Sequence, residues 1–256
     1  MMDPAVGAVT SYVCRRALVI GAGSGIGRAA AEVLARDGVA VAIADIDGRR
    51  ADEVAAAVNR GGGQAWSHPV DVADSRSVDG LFAALQTVWP SLDLLVNTFG
   101  ILGETGFIDD LSDEAWNRMV AVNLSGVFHC CRAAVRWMKT HRSGRIINLS
   151  SVAALTPTPG ALHYSASKAG VIQLSKTLAR EVARYNLRVN VIAPGYVDTP
   201  MLQELDEDFK QHILRLTPLR RFGRVEEIAG LVRFLASAEA DFFTGQVLSP
   251  NGGLVI

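Results

Sequence analysis

Cysteine is scarce: the 256 residues hold three, Cys14, Cys130 and Cys131. Three thiols with no C-x-x-C pair build no disulfide framework, and the adjacent pair falls in an apolar helical pattern, where a thiol packs as a small hydrophobe. Such usage suits a reducing compartment, so a cytoplasmic location is expected, and no metal site. An excess of either charge is lacking too. Against 26 acidic side chains stand 25 basic ones, a formal net charge of −1. That balance gives no field to gather a phosphate backbone, so nucleic acid is not an expected partner. No run of about 18 uncharged apolar residues is present to span a membrane. Near the start, Asp3 comes early and Arg15 and Arg16 follow the mildly apolar stretch instead of preceding it, the reverse of a secretory leader. Repeats and Pro/Gly/Ser-rich linkers are absent as well. One domain over 16–256 is therefore expected, with a loosely held extension at 1–15.

Glycine is what the chain has in excess. Its 24 glycines exceed the usual share of about 7% without any repeat to account for them. Outside linkers, glycine sits where backbone turns tightly or comes close to something else.

Short β-branched runs alternate with longer helical patterns. The strands read as 17–20, 40–44, 65–68, 92–97, 145–149, 188–193 and 246–248, several of them apolar at every position, as parallel strands covered on both faces are. Helices are expected near 25–37, 48–60, 75–88, 113–139, 162–185 and 225–236, with Ser112 as a cap and Asp113 and Glu114 set against the helix dipole. Repeated strand–helix–strand units give an α/β fold with one doubly wound parallel sheet and helices on both faces. Residues 199–222 break the alternation, with four acids between Glu204 and Asp208. They read equally as a solvated helix pair or as a lid beside a site.

The first strand runs into Gly21-Ala-Gly23-Ser24-Gly25-Ile26-Gly27 at the start of the first helix. Glycines in that context let backbone approach a pyrophosphate, whose charge then faces the unpaired N–H groups of the helix, while Gly27 permits close helix–strand packing. The second strand ends at Asp45-Ile46, 24 residues after Gly21 for the acid. An acid there accepts hydrogen bonds from both ribose hydroxyls of an adenosine and repels a 2′-phosphate, which favours NAD over NADP. Arg49 and Arg50 close behind keep NADP open. S-adenosylmethionine-dependent methyltransferases pair a glycine loop with an acid in the same way, so two classes fit at this point. Asp71 and Val72, after the third strand, are candidates for the adenine rim, with loop capping as the alternative for Asp71.

Chemistry enters with Tyr164 and Lys168, four apart and so on one helical face, and with Ser151 at a strand end 13 residues before Tyr164. A hydroxyl, a phenol and a cation can converge there, at the strand C-termini where such sheets bind ligands. Taken together these motifs resemble the short-chain dehydrogenase/reductase family over about residues 14–253. The family's opening pattern stands as Ile20-Gly21-x-x-x-Gly25-Ile26-Gly27, its Tyr-x-x-x-Lys as Tyr164 to Lys168 with Ser151. Its catalytic asparagine matches Asn123, its Pro-Gly element Pro194-Gly195-Tyr196-Val197-Asp198-Thr199, and its C-terminal glycines Gly245 to Gly253. Two departures stand out. Ile20 replaces the opening threonine and its loop hydrogen bond. The family's Asn-Asn-Ala-Gly is Asn97-Thr98-Phe99-Gly100, with a large ring near the expected cofactor ribose.

The resemblance implies a Rossmann-type sheet and hydride transfer between a nicotinamide cofactor and a secondary alcohol or ketone. In it Tyr164 is acid or base, Ser151 orients the substrate oxygen, Lys168 supports the phenolate, and Asn123 holds a water linking Lys168 to solvent. A phenol of pKa about 10 needs about 4 kcal/mol to reach 7. An ammonium about 4 Å away supplies that order at an effective dielectric of about 20. Asn97, Gly100, Pro194 and Gly195 would border the cofactor, and Val197 and Thr199 would fix its nicotinamide amide. The substrate pocket is expected from Val152, Ala153, 155–163, Tyr196 and the lid, with Leu102, Leu155, Met201 and Leu202 pointing to an apolar ligand. His163 reads as pocket wall or packed residue, and Trp66, Trp89, Trp116 and Trp137 as core or interface. The apolar C-terminus, Leu254-Val255-Ile256, and the family's habit imply a homotetramer through the helices at 113–139 and 162–185. Two alternatives stay in view. One is an NADPH-dependent 3-oxoacyl-carrier-protein-type ketoreductase, against which Asp45 and the lid acids speak. The other is a non-catalytic dinucleotide-binding subunit.

Overall fold

All seven strand patterns become strands of one parallel sheet in the computed structural model, which describes residues 14–256. Of the expected N-terminal extension, 1–13 lie outside the described residues. The strands are β1 (Arg16–Ile20), β2 (Ala40–Asp45), β3 (Ala65–Pro69), β4 (Leu94–Asn97), β5 (Gly144–Leu149), β6 (Leu187–Ile192) and β7 (Val247–Leu248). They lie in the order β3-β2-β1-β4-β5-β6-β7. Ile20 at the end of β1 pairs with Ala44 on one side and Asn97 on the other. The chain leaves β1 for β2 and returns to β4 on the opposite flank, so the loops after β1 and β4 diverge and open a crevice between them.

The helices are α1 (Gly25–Arg36), α2 (Gly48–Arg60), α3 (Ser75–Val88), α4 (Asp113–Val120), α5 (Gly126–His141), α6 (Leu162–Val182), α7 (Pro200–Gln203), α8 (Glu207–Leu216) and α9 (Val225–Ala236). Alternation along β1 divides the core. Val19 packs with Leu34, Val54, Val232 and Leu235 of α1, α2 and α9. Leu18 and Ile20 pack with Phe82, Val127, Trp137 and Val171 of α3, α5 and α6. Both faces of the sheet are covered, which is why several of its strands read as apolar at nearly every position.

Two expected helices are interrupted. The pattern over 113–139 is a single run in sequence, but a π-helical turn at Ala121–Ser125 separates α4 from α5. The extra residue rotates the register and sends Asn123 inward, where it is fully buried. The helix from 162 ends at Val182 and finishes in a 3-10 turn, Ala183–Tyr185. Ser112 caps α4 as expected, its side chain accepting from the Ala115 amide at 3.1 Å. Of the four tryptophans, Trp89 and Trp137 are buried, whereas Trp66 and Trp116 lie on the surface. Among the described residues no helix is long and apolar enough to cross a membrane.

Candidate active site

The crevice above the C-terminal ends of the strands is a cleft of about 910 Å³. One end is built by the loop from β1 into α1. Gly21 and Gly25 adopt positive φ values of 81° and 53°, where a side chain is strained. A Cβ on Gly27 would lie 2.2 Å from the Gly21 carbonyl oxygen and 2.4 Å from Thr98 Oγ1, so only glycine lets α1 start this close to the strands. Ser24 caps α1 without a side-chain hydrogen bond, and the first turn holds no acid. The unpaired N–H groups at that end face the cleft with their partial positive charge. A diphosphate fits such a cradle.

Asp45 ends β2 on the cleft wall. Gly23 donates its amide to Asp45 Oδ2 at 2.8 Å, and Asp47 donates to Oδ1 at 3.0 Å. Each oxygen keeps a further lone pair for a hydroxyl. Ile46, three-quarters exposed, and Val72 flank the acid along the wall. Asp71 lines the cleft, and its Oδ1 also accepts from the Ala73 amide, so it caps its loop. The donors and acceptors along this wall would suit an adenosine ribose and its diphosphate.

The loop hydrogen bond missing at Ile20 is supplied from across the sheet. Thr98 donates its hydroxyl to the Ile20 carbonyl at 2.7 Å and lies 3.1 Å from the Gly21 carbonyl. Phe99 lines the cleft and is partly buried against the core, and a Cβ on Gly126 of α5 would lie 3.1 Å from its Cε2. The absence of a side chain at Gly126 is what makes room for it.

At the other end, Ser151, Tyr164 and Lys168 share the cleft wall with Gly100, Pro194, Gly195, Val197 and Thr199. Ser151 begins a 3-10 turn, its Oγ accepting from the Ala153 amide at 3.2 Å. Lys168 is 4% exposed and donates to the Leu149 carbonyl at 3.2 Å. Desolvation brings its ammonium down from 10.5 to about 8. Burial pushes the Tyr164 phenol up, while the hydrogen bond with Ser151 pulls it down. The strong lowering expected from Lys168 is not found. Its Nζ lies 5.9 Å from the phenol ring centre, and burial weakens its own charged form.

Three expected cofactor or catalytic residues lie off the cleft wall. Gly23 faces Asp45 and Arg50, and a Cβ there would lie 2.9 Å from each, so it shapes the acid's seat. Asn97 is buried at the end of β4 and donates to Asn148 Oδ1 of β5 at 2.8 Å, tying strand to strand. Asn123 clamps Ile101 and ties α4 to α6: its Oδ1 accepts from the Ile101 amide at 2.8 Å, and its Nδ2 donates to the Ile101 carbonyl at 2.9 Å, to Met119 Sδ at 2.9 Å and to Ser167 Oγ at 3.4 Å. Between Asn123 and Lys168 sits Gly100, whose Cβ would lie 3.3 and 3.1 Å from their polar tips. His163 is buried against Gly103 and away from the wall; burial lowers its pKa. Val152, Ala153, Tyr196, Leu102, Met201 and Leu202 border the cleft, but Leu155 points to solvent. Leu205 and Phe209 line it from within the expected lid, whereas Arg118, Thr105 and Phe107 were not expected from the sequence. The signal for Phe209 was in the amphipathic α8, capped by Asp206.

The family model described as enoyl-(acyl carrier protein) reductase matches residues 21–255. The 3-oxoacyl-[acyl-carrier-protein] reductase of Synechocystis sp. is 39% identical over 250 residues, 97% of this chain and 100% of its own. That of Thermotoga maritima is 38% identical over 239 residues, 93% of this chain and 97% of its own. The chain belongs to the short-chain dehydrogenase/reductase family. Levodione reductase superposes on this short-chain dehydrogenase with a TM-score of 0.90 at 29% identity, covering 93% of this chain and 96% of that one. The protein is therefore an oxidoreductase of a family that works with a nicotinamide cofactor.

Proposed function

We propose that the chain is a cytoplasmic, homotetrameric, NAD-dependent dehydrogenase that interconverts a secondary alcohol and a ketone. The observation that carries this reading is the convergence of Ser151, Tyr164 and Lys168 on one cleft with the open α1 N-terminus and Asp45. Gly21, Ser24, Gly25 and Ile26 would hold the diphosphate, Asp45 the ribose, and Val197 and Thr199 the nicotinamide. The cofactor supplies the hydride. The chain handles the proton and the position. Ser151 hydrogen-bonds the substrate oxygen, and Tyr164 gives that oxygen a proton in ketone reduction or takes one in alcohol oxidation. With its pKa raised, the phenol enters ketone reduction already protonated. Lys168, protonated below about 8, offsets the phenolate left behind.

A second reading is an NADPH-dependent 3-oxoacyl-carrier-protein-type reductase, favoured by the names of the two bacterial relatives. Asp45 weighs against a 2′-phosphate. Arg49 and Arg50 sit beside Asp47 at 3.9 and 3.4 Å, exposed and already paired. The test follows reduced-nicotinamide absorbance with NAD or NADP, a panel of secondary alcohols and the matching ketones. Turnover with NAD above NADP is expected. Tyr164→Phe should lower turnover by roughly 10²-fold or more while cofactor binding persists. Undiminished turnover in that variant overturns the mechanism, and preference for NADP transfers the case to the second reading.

A further inference from the structure

Arg118 is a charge that the proton chemistry leaves idle. It stands in the second turn of α4 and lines the cleft with Val122, one turn further on. Only Arg118 and Lys168 are cationic among the lining residues, and Lys168 is buried against Leu149. Glu114 lies four residues before Arg118, the order and spacing that favour a helical ion pair. No such pair forms, and among the described residues the guanidinium has neither a hydrogen-bond nor an ion-pair partner.

Neighbouring contacts place it toward the reacting end. Gly103 has Met119 Cε 2.9 Å and His163 Nε2 3.1 Å from where its Cβ would stand. The residue after Arg118 and the residue before Tyr164 therefore meet over one glycine. α4 also packs on α6, which carries Tyr164. Asp45, Ile46, Asp71 and Val72, at the ends of β2 and β3, mark the other flank of the sheet. One acid, Asp206, lines the lid side. Its Oδ1 is engaged by the amides of Asp208 at 2.8 Å and Phe209 at 3.2 Å. Apolar side chains line the same cleft: Leu102, Phe107, Met201, Leu202 and Leu205.

Resting on the reaction proposed above, we infer that Arg118 is a specificity-determining residue. It receives an anionic group, carboxylate or phosphate, on a substrate whose apolar chain lies along that wall with its carbonyl at Tyr164. A guanidinium offers a planar fork that matches either anion with paired hydrogen bonds.

The test compares oxocarboxylates of increasing chain length with their methyl esters and with ketones bearing a terminal phosphate. At one chain length kcat/KM for the anion should exceed that for the ester by about tenfold or more. The larger ratio, carboxylate or phosphate, tells which anion is meant. Arg118→Gln should collapse the ratio toward one, Arg118→Lys should restore part of it, and added salt should shrink it. Calorimetry of an unreactive carboxylate and its ester with cofactor present reads the same preference without turnover, so failure of the reaction is separable from failure of Arg118. A ratio near one in the unaltered protein, or one that survives in Arg118→Gln, overturns the assignment. So does loss of NAD affinity in Arg118→Gln with the ratio unchanged, which would give the arginine to the cofactor.

Discussion

Lys168 illustrates what a single residue costs and supplies. The residue is 4% exposed, and its ammonium makes a hydrogen bond to the Leu149 carbonyl. Its pKa falls from 10.5 in the unfolded chain to about 8 in the fold. Below about 8 both states are protonated, and the folded state bears the full penalty of a buried charge. Between about 8 and 10.5 the unfolded chain binds the extra proton, so stability contributed at this site rises with pH. Lys168→Met should therefore be inactive yet more stable at pH 7, by up to about 3 kcal/mol. The gain should fade as pH climbs toward 10. Thermal unfolding of both proteins across that range checks it; a variant less stable at neutral pH, or a gain that grows with pH, contradicts the account. The spacing of Tyr164 and Lys168 was legible in sequence. The sign of the phenol's shift was not, because desolvation depends on walls contributed by distant loops.

At the scale of elements, the strands, the helices and the glycine loop were legible because each carries its signal locally. Several strands are nearly all apolar, and the loop after β1 spells its own turn in Gly21 and Gly25. What escaped sequence reading depends on pairs far apart in the chain. The π-helical turn at Ala121–Ser125 adds one residue inside a run whose apolar spacing already fits a helix. Ile20 reads as a lost hydrogen bond until Thr98 is seen to donate to it from β4's exit. Phe99 lines the cleft where its ring was expected, and only Gly126, far along the chain, shows how the fold makes room for it. That last pair gives a prediction. A Cβ at 126 would meet Val72 at 2.9 Å and Phe99 at 3.1 Å. Gly126→Ala should then cost about 1–3 kcal/mol, as overpacking does. Combined with Phe99→Ala the two losses should sum to less than additive, since the smaller residue frees the space. Additive losses in denaturant unfolding would mean that the ring and the helix are not in register.

For the whole molecule, the question is what covers its exposed apolar side chains. Trp116 on α4 and Phe128 on α5 are exposed, with Arg132 over the Phe128 ring at 4.9 Å. Phe242 is fully exposed beside the two-residue edge strand β7, and Ile256 is exposed at the C-terminus. The first pair sits on helices that follow the central strand β4, the second at the β7 edge, so we treat them as two patches. A closed tetramer with two-fold axes uses two self-complementary patches per chain, and a dimer uses one. Two patches therefore fit four chains. Light scattering should give four times the 27.3 kDa of the chain. Phe128→Asp should disrupt one interface and leave dimers held by the other, and Phe242→Asp should leave the complementary dimers. Only the double variant should yield monomers. A monomeric mass for the unaltered protein refutes the tetramer, and direct collapse of either single variant to monomers refutes the assignment of two independent patches.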